Sequence, residues 1–360
     1  MKTKIKKKIC QTAAIMMAGC MMTGNVMAED SSEIPDGVYS WFLVQAYDDA
    51  CKINGGKSEV WEHDIEGKNA EEWIAEKAKS YAKEYLAVEQ QFDLKKMELT
   101  KATNDLWAQV MELTEEEEET LDATVERYWN ELGYGRYYAE YEITEDDFSH
   151  VLENNNKMSK LYVQERDELK TEVTQKEIAS YIEEHGSLVQ YIAVPYTQPL
   201  DENAEEAEKA VWMDTDAVYE EYKERIESGE DIEELIKEVN DNKAQQAAGI
   251  SSSYSDISLE TLFLDSNTSL STGFKKALEE APEEEVIYFD DEAQYHQIIF
   301  MKKTFSEDWT GIELYKEELT ELIAEETFYD DVVQWSDEIE IENEEEQISA
   351  EEVKEMFSGK

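Results

Sequence analysis

The sequence has few cysteines and few histidines. Of its 360 residues, three are cysteine and four are histidine. Cys10 and Cys20 fall within the first 28 residues, so removal of that segment would leave Cys51 alone and no internal disulfide. Three of the histidines are far apart, and none has metal-ligand spacing to a cysteine or another histidine: His63, His150 and His185. The sequence therefore predicts neither a disulfide framework nor a metal site.

Positive charge is scarce as well. There are 33 lysines and arginines against 88 aspartates and glutamates, giving a formal net charge of −55. Such a chain repels nucleic acid phosphates and anionic membrane surfaces, which argues against both as partners. Acidic runs such as 115–119 lack the glycine-containing loop of a calcium site and indicate solvated helix faces. The 41% hydrophobic content, with eight Trp and 20 Tyr, indicates a folded chain, and the length allows about two domains.

Long apolar runs are missing beyond the first residues. Lysines precede an apolar stretch from Ile9 to Met22, which is shorter than the roughly 20 residues of a membrane span. Small residues then predict signal-peptide cleavage after Ala28. The alternative is a lipobox that ends in Cys20, with that cysteine acylated. Both alternatives place the protein outside the cytoplasm, secreted or at the cell surface, with the membrane touched only through a lipid anchor.

The first half of the chain has helical patterning. Four capping signals predict helix starts, at Asn69, at Thr114 with Glu117, at Thr144 with Asp147 and at Thr174 with Glu177. Everything before residue 186 is expected to be helical. Several aromatic residues of the first helices are candidates either for the core or for an apolar groove that binds other chains: Trp41, Phe42, Trp73, Tyr81 and Tyr85.

The pattern changes at residue 188. A β-like run, 188–194, stops at Pro195, and further strands are predicted at 286–289 and 295–301. Helices are predicted over 203–227, 232–239 and 273–280, with a polar loop over 243–258. The chain is helical again over 306–339, and an acidic tail ends in a loosely held helix at 350–357. The predicted fold class is α+β.

Five segments, taken in order, resemble the parvulin-type foldases of the PpiC, PrsA and SurA kind. They are Val173–Gly186 with Val189–Val194, Gly229–Val239, Phe274–Leu278, Tyr295–Met301 and Tyr329–Trp335. The resemblance implies a mostly helical chaperone domain like that of SurA and PrsA, with an inserted parvulin-like α+β domain.

This resemblance divides the chain into six parts. They are a signal peptide (1–28), a flexible N-terminus (29–36), the N-terminal part of the helical chaperone domain (37–172), the parvulin-like domain (173–304), a helix returning to the chaperone domain (305–341) and an acidic tail (342–360).

The resemblance also implies site residues. Tyr191 stands where parvulins carry a histidine on the first strand, and Gln297 stands where they carry one on the last strand. His296 is the neighbouring candidate and would point to the strand face opposite Gln297. Asp241 lies near the position of an acidic or thiol group in the family. These polar residues either replace the usual catalytic groups or belong to a degenerate site.

Three apolar residues are the candidates for substrate binding. By the resemblance, Leu270 and Phe274 line a cup for the proline ring, and Phe263 is its third wall; plain core packing is the alternative. An X–Pro bond crosses a barrier of about 18–20 kcal/mol between its isomers. Lowering that barrier needs an apolar cup and polar groups that stabilise the twisted amide, so no cofactor and no metal are expected.

The sequence thus predicts an extracytoplasmic folding factor. Its partners would be unfolded or partly folded exported proteins and proline-containing peptides. The parvulin-like domain would be a peptidyl-prolyl cis-trans isomerase that has either kept or lost catalysis. The alternative is a non-catalytic secreted or surface binding module that uses the same frame as a scaffold.

Overall fold

The structure is a computed structural model that describes residues 33–57, 59–99, 121–198, 212–253, 257–342 and 348–357. Its fold is α+β, as predicted, with long helices and one five-stranded antiparallel sheet. The chain divides into two compact units, Met1–Thr171 with Ala324–Lys360 and Glu172–Ile323. Within the described ranges, no helix is long and apolar enough to cross a membrane.

Some predictions concern residues outside the described ranges. They are the signal peptide (1–28) with its lipobox cysteine, Cys20, the capping box at Thr114 and the first part of the helix predicted from residue 203. These stay predictions, as do the boundaries of the six functional parts.

The elements follow one another along the chain in this order: α1 (Asp36–Asn54), α2 (Ala70–Leu94), α3 (Leu121–Glu126), a π-helical turn (Arg127–Glu131), α4 (Tyr134–Tyr138), a 3-10 turn (Ala139–Tyr141), α5 (Glu145–Glu172), α6 (Gln175–His185), β1 (Gly186–Pro195), α7 (Thr215–Glu227), α8 (Ile232–Asp241), α9 (Lys243–Ala247), β2 (Ser251–Ser252), β3 (Thr261–Leu264), α10 (Thr272–Glu280), β4 (Val286–Asp291), β5 (His296–Lys303), α11 (Ile312–Asp337) and α12 (Ala350–Phe357).

The predicted caps in the described ranges are confirmed. Asn69 Oδ1 accepts the main-chain N–H three residues on at 2.9 Å and starts α2. Thr174 Oγ1 accepts the Glu177 N–H at 3.3 Å, and Glu177 Oε2 accepts the Thr174 N–H at 2.8 Å, which forms a capping box at α6. The same reciprocal bonds join Thr144 to Asp147 before α5. Each cap satisfies N–H groups that a helix start leaves unpaired.

The first unit is built around one large core between α1 and α2. The aromatic residues considered above all belong to it: Phe42, Trp73 and Tyr81 are buried, and Trp41 and Tyr85 are half-buried against them. The prediction of a loosely held C-terminal helix was wrong. In α12, Val353 is 0% exposed and Phe357 is 3% exposed, because both side chains are packed into this core.

The second unit contains the sheet, in the order β2-β1-β5-β4. β1 pairs with β5 along its length, from Leu188 opposite Lys303 to Pro195 opposite His296. The other edge of β1 is shared. β3 pairs with its beginning and β2 with its end. β1 is therefore the central strand on which the rest of the sheet is assembled.

The two faces of the sheet carry different cores. Ile192, Val194 and Ile299 pack against α7 and α8, which defines the α8 face. Val189 and Phe300 pack against α10, which defines the α10 face, and Ile298 joins them. Successive side chains of a strand point to opposite faces, so each residue of β1 and β5 can be assigned to one core.

Each predicted strand ends one or two residues later than predicted, and two short strands were not predicted. The segment 243–258, interpreted as a loop, holds α9 and β2, and β3 follows it. β2 has two residues and β3 has four, which is too short for a recognisable alternation of apolar and polar residues. Both strands form because they can pair with one edge of β1.

Candidate functional site

Tyr191 lies on the α10 face of the sheet. It alternates with Ile192, which is buried on the α8 face, and it packs with Val189 and Ala193 against α10. Its Cα partner on β5 is Phe300, which is completely buried on the same face. The central strand therefore presents this tyrosine to the space between the sheet and α10.

A group of apolar side chains surrounds it, which we call the aromatic cluster. Phe274 and Phe300 form its buried floor, at 3% and 0% exposure. Around the floor lie half-buried side chains that leave apolar surface exposed. They are Tyr191, Phe263, Leu270 and Phe289. The structure thus brings together Tyr191 and all three predicted substrate-binding residues.

The rings of the aromatic cluster form a continuous series of contacts in space. The Tyr191 and Phe263 ring centres are 5.5 Å apart, and those of Phe263 and Phe274 are 6.0 Å apart and nearly perpendicular. Phe274 also lies 5.6 Å from Phe289 and 5.4 Å from Phe300. Such tilted and edge-to-face pairs are the arrangements aromatic rings prefer. They hold the half-buried rings at fixed positions.

A hydrogen bond between the half-buried Ser271 and the buried Asp291 positions α10. Ser271 Oγ accepts the Phe274 N–H at 3.0 Å, which caps the helix. The same hydroxyl donates to Asp291 Oδ2 at 2.7 Å, and Asp291 is only 2% exposed. The pair therefore ties the start of α10 to the end of β4, and with it the ring of Phe274.

Ser253 holds the main chain of Tyr191. The Tyr191 N–H donates to Ser253 Oγ at 2.8 Å, and the Ser253 N–H donates to the Tyr191 carbonyl at 3.0 Å. Ser253 is 0% exposed, and its hydroxyl also donates to the Val189 carbonyl at 3.2 Å. This hydroxyl replaces the strand partner that β2, ending at residue 252, no longer supplies.

The Tyr191 hydroxyl is available for a ligand. Burial raises its pKa, and Tyr315 adds to the shift, so the group stays protonated and can donate a hydrogen bond. Across the described ranges the hydroxyl has no hydrogen-bond partner. A carbonyl oxygen of a bound peptide is an acceptor that would satisfy it.

The structure separates the two candidates on β5. His296 alternates with Gln297 and shares the α10 face with Ile298, so it lies on the same side of the sheet as Tyr191. Gln297 lies on the α8 face with Ile299, and its buried Oε1 has no hydrogen-bond partner within the described chain. Gln297 is therefore not brought to the aromatic cluster.

His296 and Asp241 also lie on different sides of the sheet. The half-buried His296 has its Nδ1 2.6 Å from the carbonyl oxygen of Gln294, which fixes the ring. Asp241 is the exposed last residue of α8, a helix that packs on the other face through residues such as Leu235. The structure does not join Asp241 to the aromatic cluster.

Sequence reasoning missed Ser271, Asp291 and Ser253. The signal for Ser271 was present, since a serine three residues before Phe274 is a cap pattern. The burial of Asp291 and Ser253 depends on partners 20 and 62 residues away, and no local pattern shows such contacts. Among the described residues, no group of three or more His, Cys, Asp or Glu side chains could hold a metal ion.

Comparison with known proteins gives only distant similarities. No family model matches the chain, and no curated protein matches it. The foldase protein PrsA from Streptococcus pneumoniae is 16% identical over 82% of this chain and 96% of that chain, with a TM-score of 0.28. PrsA from Bacillus subtilis is 18% identical over 73% and 82%, with a TM-score of 0.26. The Lactococcus lactis foldase protein (PrsA) is 13% identical over 81% and 90%, with a TM-score of 0.30. Similarities this weak carry no argument about fold or activity.

Proposed function

We propose that this protein is an extracytoplasmic folding factor that binds proline-containing segments of unfolded or partly folded exported proteins. The observation that carries the proposal is the convergence of Tyr191, Phe263, Leu270 and Phe274 in one half-buried aromatic cluster. A proline ring is apolar, and proline-rich segments dock on surfaces lined by aromatic rings. The Tyr191 hydroxyl adds a donor for a peptide carbonyl.

Peptidyl-prolyl isomerisation is the second candidate, and it needs more than binding. A catalyst must stabilise the twisted amide better than either planar isomer. On the α10 face, Tyr191 and His296 are the residues that could donate to that amide, while Gln297 and Asp241 lie elsewhere. We propose Tyr191 as the donor for this step, because His296 shares the face but lies opposite Pro195, four residues along β1 from Tyr191. If Tyr191 is inactive, the frame serves as a non-catalytic binding module.

The extracytoplasmic location is part of the proposal and rests on the N-terminal sequence. A lysine-rich start and a short apolar stretch favour export, with cleavage after Ala28 or acylation of Cys20 as the two alternatives. The mass of the intact mature protein separates them, since a chain starting at Glu29 and a lipidated chain starting at Cys20 differ in mass. A mature chain that retains residue 1 would contradict export by either route.

Binding is tested with a pair of matched leucine variants. Leu270→Ala removes part of the aromatic cluster, whereas Leu259→Ala removes an equally half-buried leucine that packs on the α8 face. A fluorescent proline-containing peptide should bind Leu270→Ala about tenfold or more weakly than wild type, because burial of a leucine side chain contributes about 1.5–3 kcal/mol. Leu259→Ala should bind like wild type. Equal binding by both variants would remove the aromatic cluster as the site.

Catalysis is tested with matched tyrosine variants. Tyr191→Phe removes the hydroxyl on the α10 face, and Tyr288→Phe removes one on the α8 face. In a protease-coupled proline isomerisation assay, kcat/KM should fall about tenfold for Tyr191→Phe alone. No acceleration by wild type at micromolar protein would exclude the isomerase. In that case suppression of client aggregation would support the folding factor, and failure in both assays would favour a binding module.

A further inference from the structure

The C-terminal helix α12 fills an aromatic groove of the first unit. Phe357 stacks on Tyr47 with ring centres 4.1 Å apart and planes within 3° of parallel. It also lies 5.3 Å from the ring of Tyr141. One turn earlier, Val353 is completely buried in the same core. The groove therefore accepts an aliphatic residue and, four positions later, an aromatic one, which is the spacing of one helix face.

Charge fixes the orientation of α12 in the groove. Lys354 Nζ lies 2.8 Å from Glu71 Oε1 on α2 and 5.4 Å from the centre of the Trp61 ring. These contacts combine an ion pair with a cation over an aromatic face. A lysine next to the aliphatic anchor is thus recognised by the groove, and the recognition elements are Val353, Lys354 and Phe357.

α12 contributes few residues to the core. It has eight residues, of which Val353 and Phe357 are buried and Met356 is partly buried against the same core. A helix this short does not hold its conformation alone in water, so α12 depends on the groove. The chain before it is anchored independently, because Ile339 and Ile341 are themselves buried in the core. Only residues 343–347 connect the described chain at Glu342 to the segment that starts at Ile348.

One glutamate of α12 lies where a basic residue would be more favourable. Glu351 and Glu352 are in the first turn, where the helix dipole favours an anion, whereas the exposed Glu355 is in the last turn, where it favours a cation. The chain as a whole has a net charge of −55. A helix of the same apolar pattern with a basic residue at the position of Glu355 would therefore be favoured by its own dipole and attracted by the acidic chain.

We propose that this groove is a binding site for basic amphipathic helical segments of other proteins, and that α12 is its tethered, weaker occupant. The partner presents an aliphatic residue, a lysine or arginine directly after it and an aromatic residue four positions after the aliphatic one. Because α12 and the groove belong to the same chain, their contact is intramolecular, so α12 occupies the groove even if it binds weakly as a free peptide. An untethered basic segment that binds more tightly displaces it.

The test uses full-length chains and a labelled peptide of residues 348–357. Phe357→Ala removes the aromatic anchor and should empty the groove, while Glu355→Ala changes an exposed residue and should leave it occupied. The peptide should bind the Phe357→Ala chain at least about tenfold more tightly than wild type or Glu355→Ala. Because the proposal does not depend on the aromatic cluster, Leu270→Ala combined with Phe357→Ala should bind the peptide equally well.

A second peptide tests the charge. With lysine at position 355, it should bind the Phe357→Ala chain roughly threefold or more tightly at low salt, and the difference should disappear at high salt. Equal affinity of the acidic and basic peptides would overturn the assignment of a basic partner. No binding of either peptide to a Phe357→Ala chain that is folded by circular dichroism would overturn the groove itself.

A protein cleaved before α12 tests the proposal if Phe357→Ala does not fold. A protease site inserted after Glu342 is cut in the folded full-length chain, and the labelled peptide is added. Exchange of the cleaved segment for the labelled peptide supports a displaceable occupant. Retention of the cleaved segment without exchange identifies α12 as a permanent part of the core and overturns the proposal.

Discussion

Replacing Ser271 by alanine should loosen α10 far more than the loss of one helix cap. The hydroxyl accepts the Phe274 N–H and donates to Asp291, whose carboxylate is 2% exposed. Alanine removes both hydrogen bonds without changing the apolar contacts of the helix. The start of α10 then loses its link to β4, and the aromatic cluster loses the element that carries Phe274.

The expected magnitude is the sum of two effects. Loss of a serine cap costs about 1 kcal/mol. A buried acceptor left without its donor costs about 1–3 kcal/mol. The two together give about 2–4 kcal/mol, which corresponds to a roughly 30- to 700-fold increase in the equilibrium constant for local opening. The second effect should disappear in Ser271→Ala combined with Asp291→Ala, because the unpaired carboxylate is then absent.

Hydrogen exchange followed by mass spectrometry measures this opening in peptides that cover α10 and β4. Thr174→Ala is the matched control, since it removes a cap of α6 whose partner Glu177 is exposed. In Thr174→Ala, hydrogen exchange in α6 should increase only by the factor expected for the loss of one helix cap. If Ser271→Ala accelerates exchange no more than Thr174→Ala does, the hydrogen bond from Ser271 to the buried Asp291 does not stabilise the site.

Three further predictions follow from single contacts. Gly186→Ala should lower the thermal midpoint and cost about 1–3 kcal/mol, because its Cβ would lie 2.7 Å from a main-chain oxygen of α6. The hydrogen bond from Lys354 lowers the pKa of Glu71, so the stability that this bond contributes is complete above the ordinary pKa of 4.5 and is lost as the pH falls through the lowered pKa. Exchange protection of α12 should decrease over that pH range, and Lys354→Met should abolish this pH dependence. Ser253→Ala leaves the Tyr191 N–H unpaired, costs about 1–3 kcal/mol and should accelerate exchange of that amide, as NMR would show.

Local signals predicted local structure well. Asn69 and Thr174 cap the helices their sequence positions indicate, and α12 has the predicted bounds because its apolar residues follow helical spacing. The burial of Val353 was not predictable in this way. It depends on packing against α2, which is far away in the sequence, and the acidic residues around it suggested a solvated tail.

The sheet face of Gln297 was not predictable for a different reason. A strand has a side-chain period of two, so a shift of one residue in the pairing exchanges the two faces. His296 and Gln297 are both polar, and the continuous apolar run from Ile298 to Phe300 that follows does not show which of them faces α10. Only the pairing of β5 with β1, which places Phe300 opposite Tyr191, decides which of them shares the face of the aromatic cluster.

Two serines, the buried Ser253 and the half-buried Ser271, help to position the rings of the site. Ser253 holds the main chain of Tyr191, and Ser271 holds the start of the helix that carries Phe274. Aromatic rings attract one another over a range of angles, so ring contacts alone do not select one arrangement. Hydrogen bonds to buried groups are strict in distance and direction. A search for further proteins with this site should therefore weigh the serines at these two positions as heavily as the apolar residues they position.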